Sequence, residues 1–111
     1  MDFKVFNFNS EKDLEATSDK SARKILAFNE KMMMVENHFE KGGIGADHKH
    51  PHLQLVYVPE GKFYFTVEGE TRVLEKGDSV LVKENAVHSC ECIEKGILLD
   101  IFSPMREDFI K

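Results

Sequence analysis

Three of the chain's five histidines crowd into one stretch, His48-Lys49-His50-Pro51-His52-Leu53-Gln54, two residues after the glycine-rich run Gly42-Gly43-Ile44-Gly45. Side chains alternate between two faces in an extended strand, so His48, His50, His52 and Gln54 lean to the same side. Neutral imidazole nitrogens are good donors to first-row divalent metals, and a strand holds two of them at a fixed separation. A row of imidazoles running into the apolar Leu55-Val56-Tyr57-Val58 is what a metal pocket inside a small barrel needs. Farther on, Asp100 sits in the apolar run Ile97-Leu98-Leu99-Asp100-Ile101-Phe102. An unpaired carboxylate is costly there, so Asp100 needs a partner or a task. Phe102 shares its parity and can stack on a ligand. Arg106 offers a planar fork for a carboxylate, and an Asp100–Arg106 ion pair pinning the tail is the structural alternative.

The elements that must position these groups read as strands. Residues before 21 are the least informative: Phe3, Val5, Phe6 and Phe8 suggest a strand, and residues 10–20 a turn or short helix. Residues 22–28 and 32–40 then form a hairpin about Asn29-Glu30. The run Met32-Met33-Met34 reads as core packing and strand surface, because no cysteine stands near to complete a soft metal site. Turn signals follow at Glu60-Gly61, Glu68-Gly69-Glu70, Lys76-Gly77-Asp78 and Glu84-Asn85-Ala86, with β-prone segments between them and His88 opening another. No helical period interrupts residues 31–102. Such spacing predicts an all-β sandwich or barrel.

The bulk numbers bound the function. A chain of 111 residues is one domain, 1–111, able to bury roughly 65% of its unfolded surface. The net charge of −5, with no basic cluster, argues against nucleic acid as a partner. No secretory leader and no apolar run of about 20 residues stand out, so a cytoplasmic location away from membranes is expected. Cys90 and Cys92 are too close along a strand for a structural disulfide and are expected as reduced, buried thiols. His38 reads as a surface strand residue. Pro51 kinks the strand at His52, which places that imidazole outside a ligand set.

The longer spacing is more specific. Gly42, five residues, His48-x-His50, three residues, Gln54, six residues and Gly61 resembles the first motif of the cupin family (42–61), with Gln54 where that family usually has glutamate. Gly77 and His88 hold their places in the second motif (77–92), while Lys83, Asn85 and Cys92 depart from its proline, glycine and asparagine positions. Those departures touch turn geometry rather than ligation, since Asn also tolerates positive φ. The resemblance implies a double-stranded β-helix, or jelly-roll, barrel with one divalent transition metal (nickel, iron, manganese or zinc) held at its mouth by His48, His50, Gln54 and His88. Three imidazoles and one oxygen donor leave coordination positions open for water or substrate. A neutral amide in place of a carboxylate leaves more net charge on the site, which favours anionic ligands. In cupins the closing strand lines the barrel mouth, which makes Asp100 a candidate general acid/base.

The His-x-His-Pro-His-x-Gln stretch and the tail Asp100-x-Phe102-Ser103-Pro104-x-Arg106-x-Asp108-Phe109 together resemble the cupin subgroup active in pectin degradation, which opens unsaturated uronates to their linear keto form. That resemblance implies a metal-dependent isomerase: the metal polarises a sugar-acid oxygen, Asp100 moves a proton, and Arg106 and Phe102 bind a small anionic substrate. Two alternatives remain: an iron-dependent cupin dioxygenase, and a non-catalytic small-molecule-binding module. A homodimer is expected, because a jelly roll leaves a sheet edge that the segments around Phe3–Phe8 and Ile25–Phe28 could cover on a neighbour.

Overall fold

Buried and exposed side chains alternate along the longer strands, as a two-sided pleated sheet requires. The computed structural model, which describes residues 2–110, contains eight strands. They are β1 (Glu15–Ser18), β2 (Ser21–Asn29), β3 (Met32–Phe39), β4 (Ile44–His48), β5 (Leu53–Val67), β6 (Glu70–Glu75), β7 (Ser79–Val82) and β8 (His88–Ser103). Helical structure among the described residues is limited to two short 3-10 turns, Asn9–Glu11 and Glu107–Phe109.

The expected hairpin is β2–β3, in antiparallel register from Ser21↔Phe39 to Asn29↔Met32. Asn29 closes it: its side-chain oxygen accepts from the backbone N–H groups of Lys31 and Met32, an Asx-type turn. The segment carrying Phe3, Val5, Phe6 and Phe8 forms no strand. Both edges of β2 are already taken, by β1 and β3, and Phe3 instead packs edge-on against Phe28 at 5.6 Å between ring centroids.

Glu60-Gly61 looks like a connection in the sequence but lies inside β5, a strand of 15 residues, and β8 runs unbroken for 16. The β5–β8 register slips between Tyr57 and Phe63, so both strands bulge and bend there. Two glycines make that corner possible. Gly61 has φ +91°, and a Cβ on Gly96 would lie only 2.5 Å from the Cα of Gly61.

The bend divides each long strand between two sheets. The second half of β8 and the first half of β5 join β1, β2, β3 and β7. The first half of β8 and the second half of β5 join β4 and β6. All pairings are antiparallel, and the two layers make the all-β jelly-roll barrel of the cupin type that the sequence predicts.

Between the layers lies a larger apolar cluster with Phe63, Val56, Val58, Val82 and Leu98 at its centre, and a smaller one of Met33, Val35 and Phe102. Met33 is fully buried, whereas Met32 is exposed, so the methionine run does divide between core and surface. Cys92 is buried, Cys90 half-buried, and both are free thiols. Gln54, His88 and Asp100 occupy inward positions that would otherwise be apolar. Polar groups cost free energy there unless other groups or a cation satisfy them.

Candidate metal centre

His48 is the last residue of β4 and His88 the first of β8, and they are cross-strand partners with ring centroids 4.1 Å apart. His50 is not on a strand. The alternation of polar side chains predicts one extended segment from His48 to Gln54, but residues 49–52 form a bend between β4 and β5. Pro51 lacks the N–H a ladder needs, which accounts for the break. That bend turns the His50 ring inward, 5.0 Å from His88 and 5.6 Å from His48 between centroids. One ring nitrogen from each of His48, His50 and His88 lies within 4.8 Å of the others. His52 stays outside this cluster.

The three rings share one further property. His48 Nδ1 lies 2.8 Å from the Ala46 carbonyl, His50 Nδ1 3.1 Å from that of His52, and His88 Nδ1 2.8 Å from that of Ala86. A carbonyl only accepts, so each Nδ1 is the donor, and in a neutral ring Nε2 is then a bare lone pair. Burial pushes the His50 pKa down to about 4 and lowers that of His88, which keeps both rings neutral near pH 7.

These lone pairs are left in an uncomfortable arrangement. His88 Nε2 is buried with no hydrogen-bond partner. His50 Nε2 faces the Gln54 side-chain oxygen at 2.9 Å, while the Gln54 amide nitrogen donates to Asp100 Oδ1 at 3.0 Å. Two acceptors thus meet with no proton between them. A cation placed among these atoms would turn repulsion into ligation. A point central to three nitrogens no more than 4.8 Å apart lies within about 3 Å of each, close to the ~2.0–2.1 Å of a metal–imidazole bond. The His48, His50 and His88 triad therefore fits a metal ion, and the Gln54 oxygen is aimed at the same place.

Asp100 holds that amide in its orientation. It is 5% exposed, and its second oxygen accepts from the side-chain amide of Asn37 on β3, in addition to the Gln54 bond. Burial raises its pKa to about 7, although both amides and the Arg106 charge pull the other way. The Asp100–Arg106 ion pair considered from sequence does not form. Arg106 instead grips Asp108 through Nε (3.1 Å) and Nη2 (2.9 Å). That contact lowers the Asp108 pKa and takes up one edge of the fork expected to hold a substrate carboxylate. Phe102 is 3% exposed, edge-on to His50 at 5.6 Å and to Phe109 at 5.8 Å.

Beside the histidines opens a cavity of about 310 Å³, bordered by His48, Gln54, His88, Asp100, Asn37 and Arg106 among others. Its volume is at the small end of ligand sites. Asn37 was not singled out from sequence. The signal was there, because Met33, Val35, Asn37 and Phe39 share one parity on β3 and Asn37 is the polar member among them.

Comparison with known proteins agrees with this geometry. The Cupin domain profile matches residues 35–102. The pectin degradation protein KdgF of Dickeya dadantii is 43% identical over 98 residues, spanning 86% of this chain and 89% of that one. Among solved structures, an RmlC-like cupin from Shewanella frigidimarina superposes with TM-score 0.93 at 40% identity, covering 96% of both chains. KdgF from Halomonas sp. superposes with TM-score 0.92 at 33% identity, over 96% of this chain and 99% of the other. With the domain profile covering most of the chain and a relative 43% identical over most of both lengths, this chain belongs to the cupin family.

Proposed function

We propose that this protein is a metal-dependent isomerase that opens a small unsaturated uronate to its linear keto form. The observation that carries the reading is the convergence of His48, His50, His88 and the Gln54 oxygen beside a buried carboxyl, Asp100, whose pKa lies near neutrality. The similarity to KdgF supplies the substrate class.

A divalent transition metal bound there supplies Lewis-acid polarisation of a sugar oxygen. The chain's own groups do the rest. Ring opening requires the anomeric hydroxyl to lose a proton as the ring oxygen leaves C1, and the resulting enol must gain a proton at carbon to become the ketone. No atoms are gained or lost. Asp100 is suited to hold that proton and pass it on, because a carboxyl with pKa about 7 is populated in both forms at working pH. Asn37 and Gln54 fix its two oxygens, so the proton is held at a defined place. Phe102 closes the cavity floor against His50, and Arg106 contributes positive charge for an anionic substrate.

The reaction removes a carbon–carbon double bond conjugated to a carboxylate, so loss of its ultraviolet absorbance reads turnover. Metal-loaded protein should bleach the unsaturated monouronate released by exhaustive lyase digestion of polygalacturonate. Chelator-treated protein and Asp100→Ala should not. Wild-type protein that leaves the absorbance unchanged with any of nickel, iron, manganese or zinc would overturn the proposal, and an active Asp100→Ala would remove the proton-transfer role.

For the homodimer expected from sequence, we propose a contact on the outer face of the barrel rather than through the N-terminal segments. Met34, Ile101, Leu55 and Leu81 lie in register across β3, β8, β5 and β7 on the outer face of the first sheet, with Leu53 and Tyr57 beside them on β5. Leu53, Leu55, Tyr57 and Leu81 are all exposed. An apolar row across four strands is an association surface, and the proposed partner is a second copy of this chain.

A further inference from the structure

The cavity beside the histidines carries a second guanidinium. Arg23 on β2 pairs directly with Asn37 on β3, and directly opposed residues in an antiparallel pair share a face. Arg23 therefore lies on the same side as the amide that anchors Asp100, and it lines the same cavity.

Its guanidinium carbon sits 3.8 Å from the centroid of Phe109, and that of Arg106 sits 4.3 Å from the same ring. Two cations thus share one aromatic shelf. Their surroundings differ. Arg106 donates its Nε–Nη2 edge to Asp108. Among the described residues, the ion pairs and side-chain hydrogen bonds made by arginines belong to Arg72 and Arg106, and Arg23 makes none. Arg23 is nevertheless half-buried. Burial lowers its pKa most; Glu15, its cross-strand partner on β1, and Asp108 raise it, and the charge of Arg106 lowers it, yet neither carboxylate forms an ion pair or hydrogen bond with it.

A guanidinium carries five N–H donors in a fixed plane. Partly desolvated, stacked on a ring, without an acceptor and close to a like charge, it is in a state that an anion would stabilise. We propose that Arg23 is a substrate-binding residue of this site, and that its free fork takes the carboxylate of a small sugar acid through two parallel N–H···O bonds. Arg106, locked by Asp108, then acts as a supporting charge. Phe109 holds both guanidinium planes. The assignment rests on the reading that this cavity takes a sugar acid, and it names the group that recognises the acid end.

The test uses D-galacturonate, which lacks the double bond that the proposed reaction consumes, with galactose as the uncharged control. Binding to metal-loaded protein is measured by calorimetry for wild type, Arg23→Gln and Arg23→Lys, with metal content and thermal melting checked for each. Wild type should prefer galacturonate. Arg23→Gln should weaken galacturonate by roughly tenfold to a hundredfold and leave galactose binding unchanged. Arg23→Lys keeps the stem and the charge but not the fork, so it should recover only part of the loss.

Galacturonate binding that is equal in Arg23→Gln and wild type overturns the assignment. So does a wild type that does not distinguish the acid from the neutral sugar, or full recovery by Arg23→Lys. The ring-opening proposal fails separately: an inert unsaturated uronate combined with Arg23-dependent galacturonate binding would sink the reaction and leave Arg23 as the carboxylate anchor.

Discussion

Replacing Asp100 by asparagine probes how the buried carboxyl is held, and it does so in the metal-free protein, where no ion competes. Both carboxylate oxygens accept amide protons, from Gln54 and Asn37, and the side chain is 5% exposed. Its pKa rises from 3.8 to about 7 because burial outweighs those bonds. A group whose folded value lies above its unfolded one contributes stability that is complete below the unfolded value and is lost as pH rises through the folded one. Over the window from about pH 4 to pH 7 the carboxyl should therefore withdraw on the order of 4 kcal/mol from the metal-free wild type.

Asparagine at position 100 has no such titration. It carries a fixed penalty instead, because its amide nitrogen must face the amide nitrogen of Gln54 or Asn37, which costs about 1–3 kcal/mol. His50 titrates in the opposite sense. Its folded pKa of about 4 lies below 6.5, so its contribution is lost as pH falls through that window, but it is present in both proteins and cancels. The stability difference, wild type minus Asp100→Asn, should fall by roughly 2–3 kcal/mol between pH 5 and pH 8. With urea slopes of about 1–3 kcal/mol/M, this appears as a relative midpoint shift of about 1–3 M. The chain has no tryptophan, so unfolding of chelator-treated protein is best followed by far-ultraviolet circular dichroism. A difference that stays constant from pH 5 to pH 8 would refute the reasoning: Asp100 would then be ionised throughout, with its two amide bonds outweighing burial.

Removing one imidazole should remove the metal. For wild type, a divalent transition metal at a hundredfold excess over its dissociation constant adds about 2.7 kcal/mol and raises the melting temperature accordingly. His88→Ala, which deletes a buried nitrogen with no other partner, should lose most of that gain and hold little metal by elemental analysis. An undiminished gain would place the ion elsewhere. On the outer sheet, Leu55→Lys introduces charge at a residue 48% exposed, so the monomer should lose no more than about 0.5 kcal/mol while the proposed dimer dissociates. Sedimentation that shows the same species for wild type and variant would exclude this face as the interface.

Much of the site was legible in the chain because strand parity and local spacing are one-dimensional facts. His48 and His50 stand near each other in sequence, and Gly42, Gly61, Gly77 and His88 recur at intervals that turns impose. The shared parity of Asp100 and Phe102 on the closing strand could likewise be read from the chain, but with apolar residues on both parities of that run the inward face could not. Other features depended on which strand lies beside which. Asn37 reaches Asp100 across 63 residues, and Arg23 reaches the cavity only because β2 registers on β3 and β3 on β8. No periodicity encodes those partners, since register is a property of paired strands. The pairing of Arg106 with Asp108 rather than Asp100 was also beyond the sequence, which offers both carboxylates at workable distances along the chain. Turn spacing and side-chain alternation were enough to specify an all-β chain with three imidazoles able to meet. Which polar side chains surround them emerged only on folding, because burial and strand register set which groups are left without a partner.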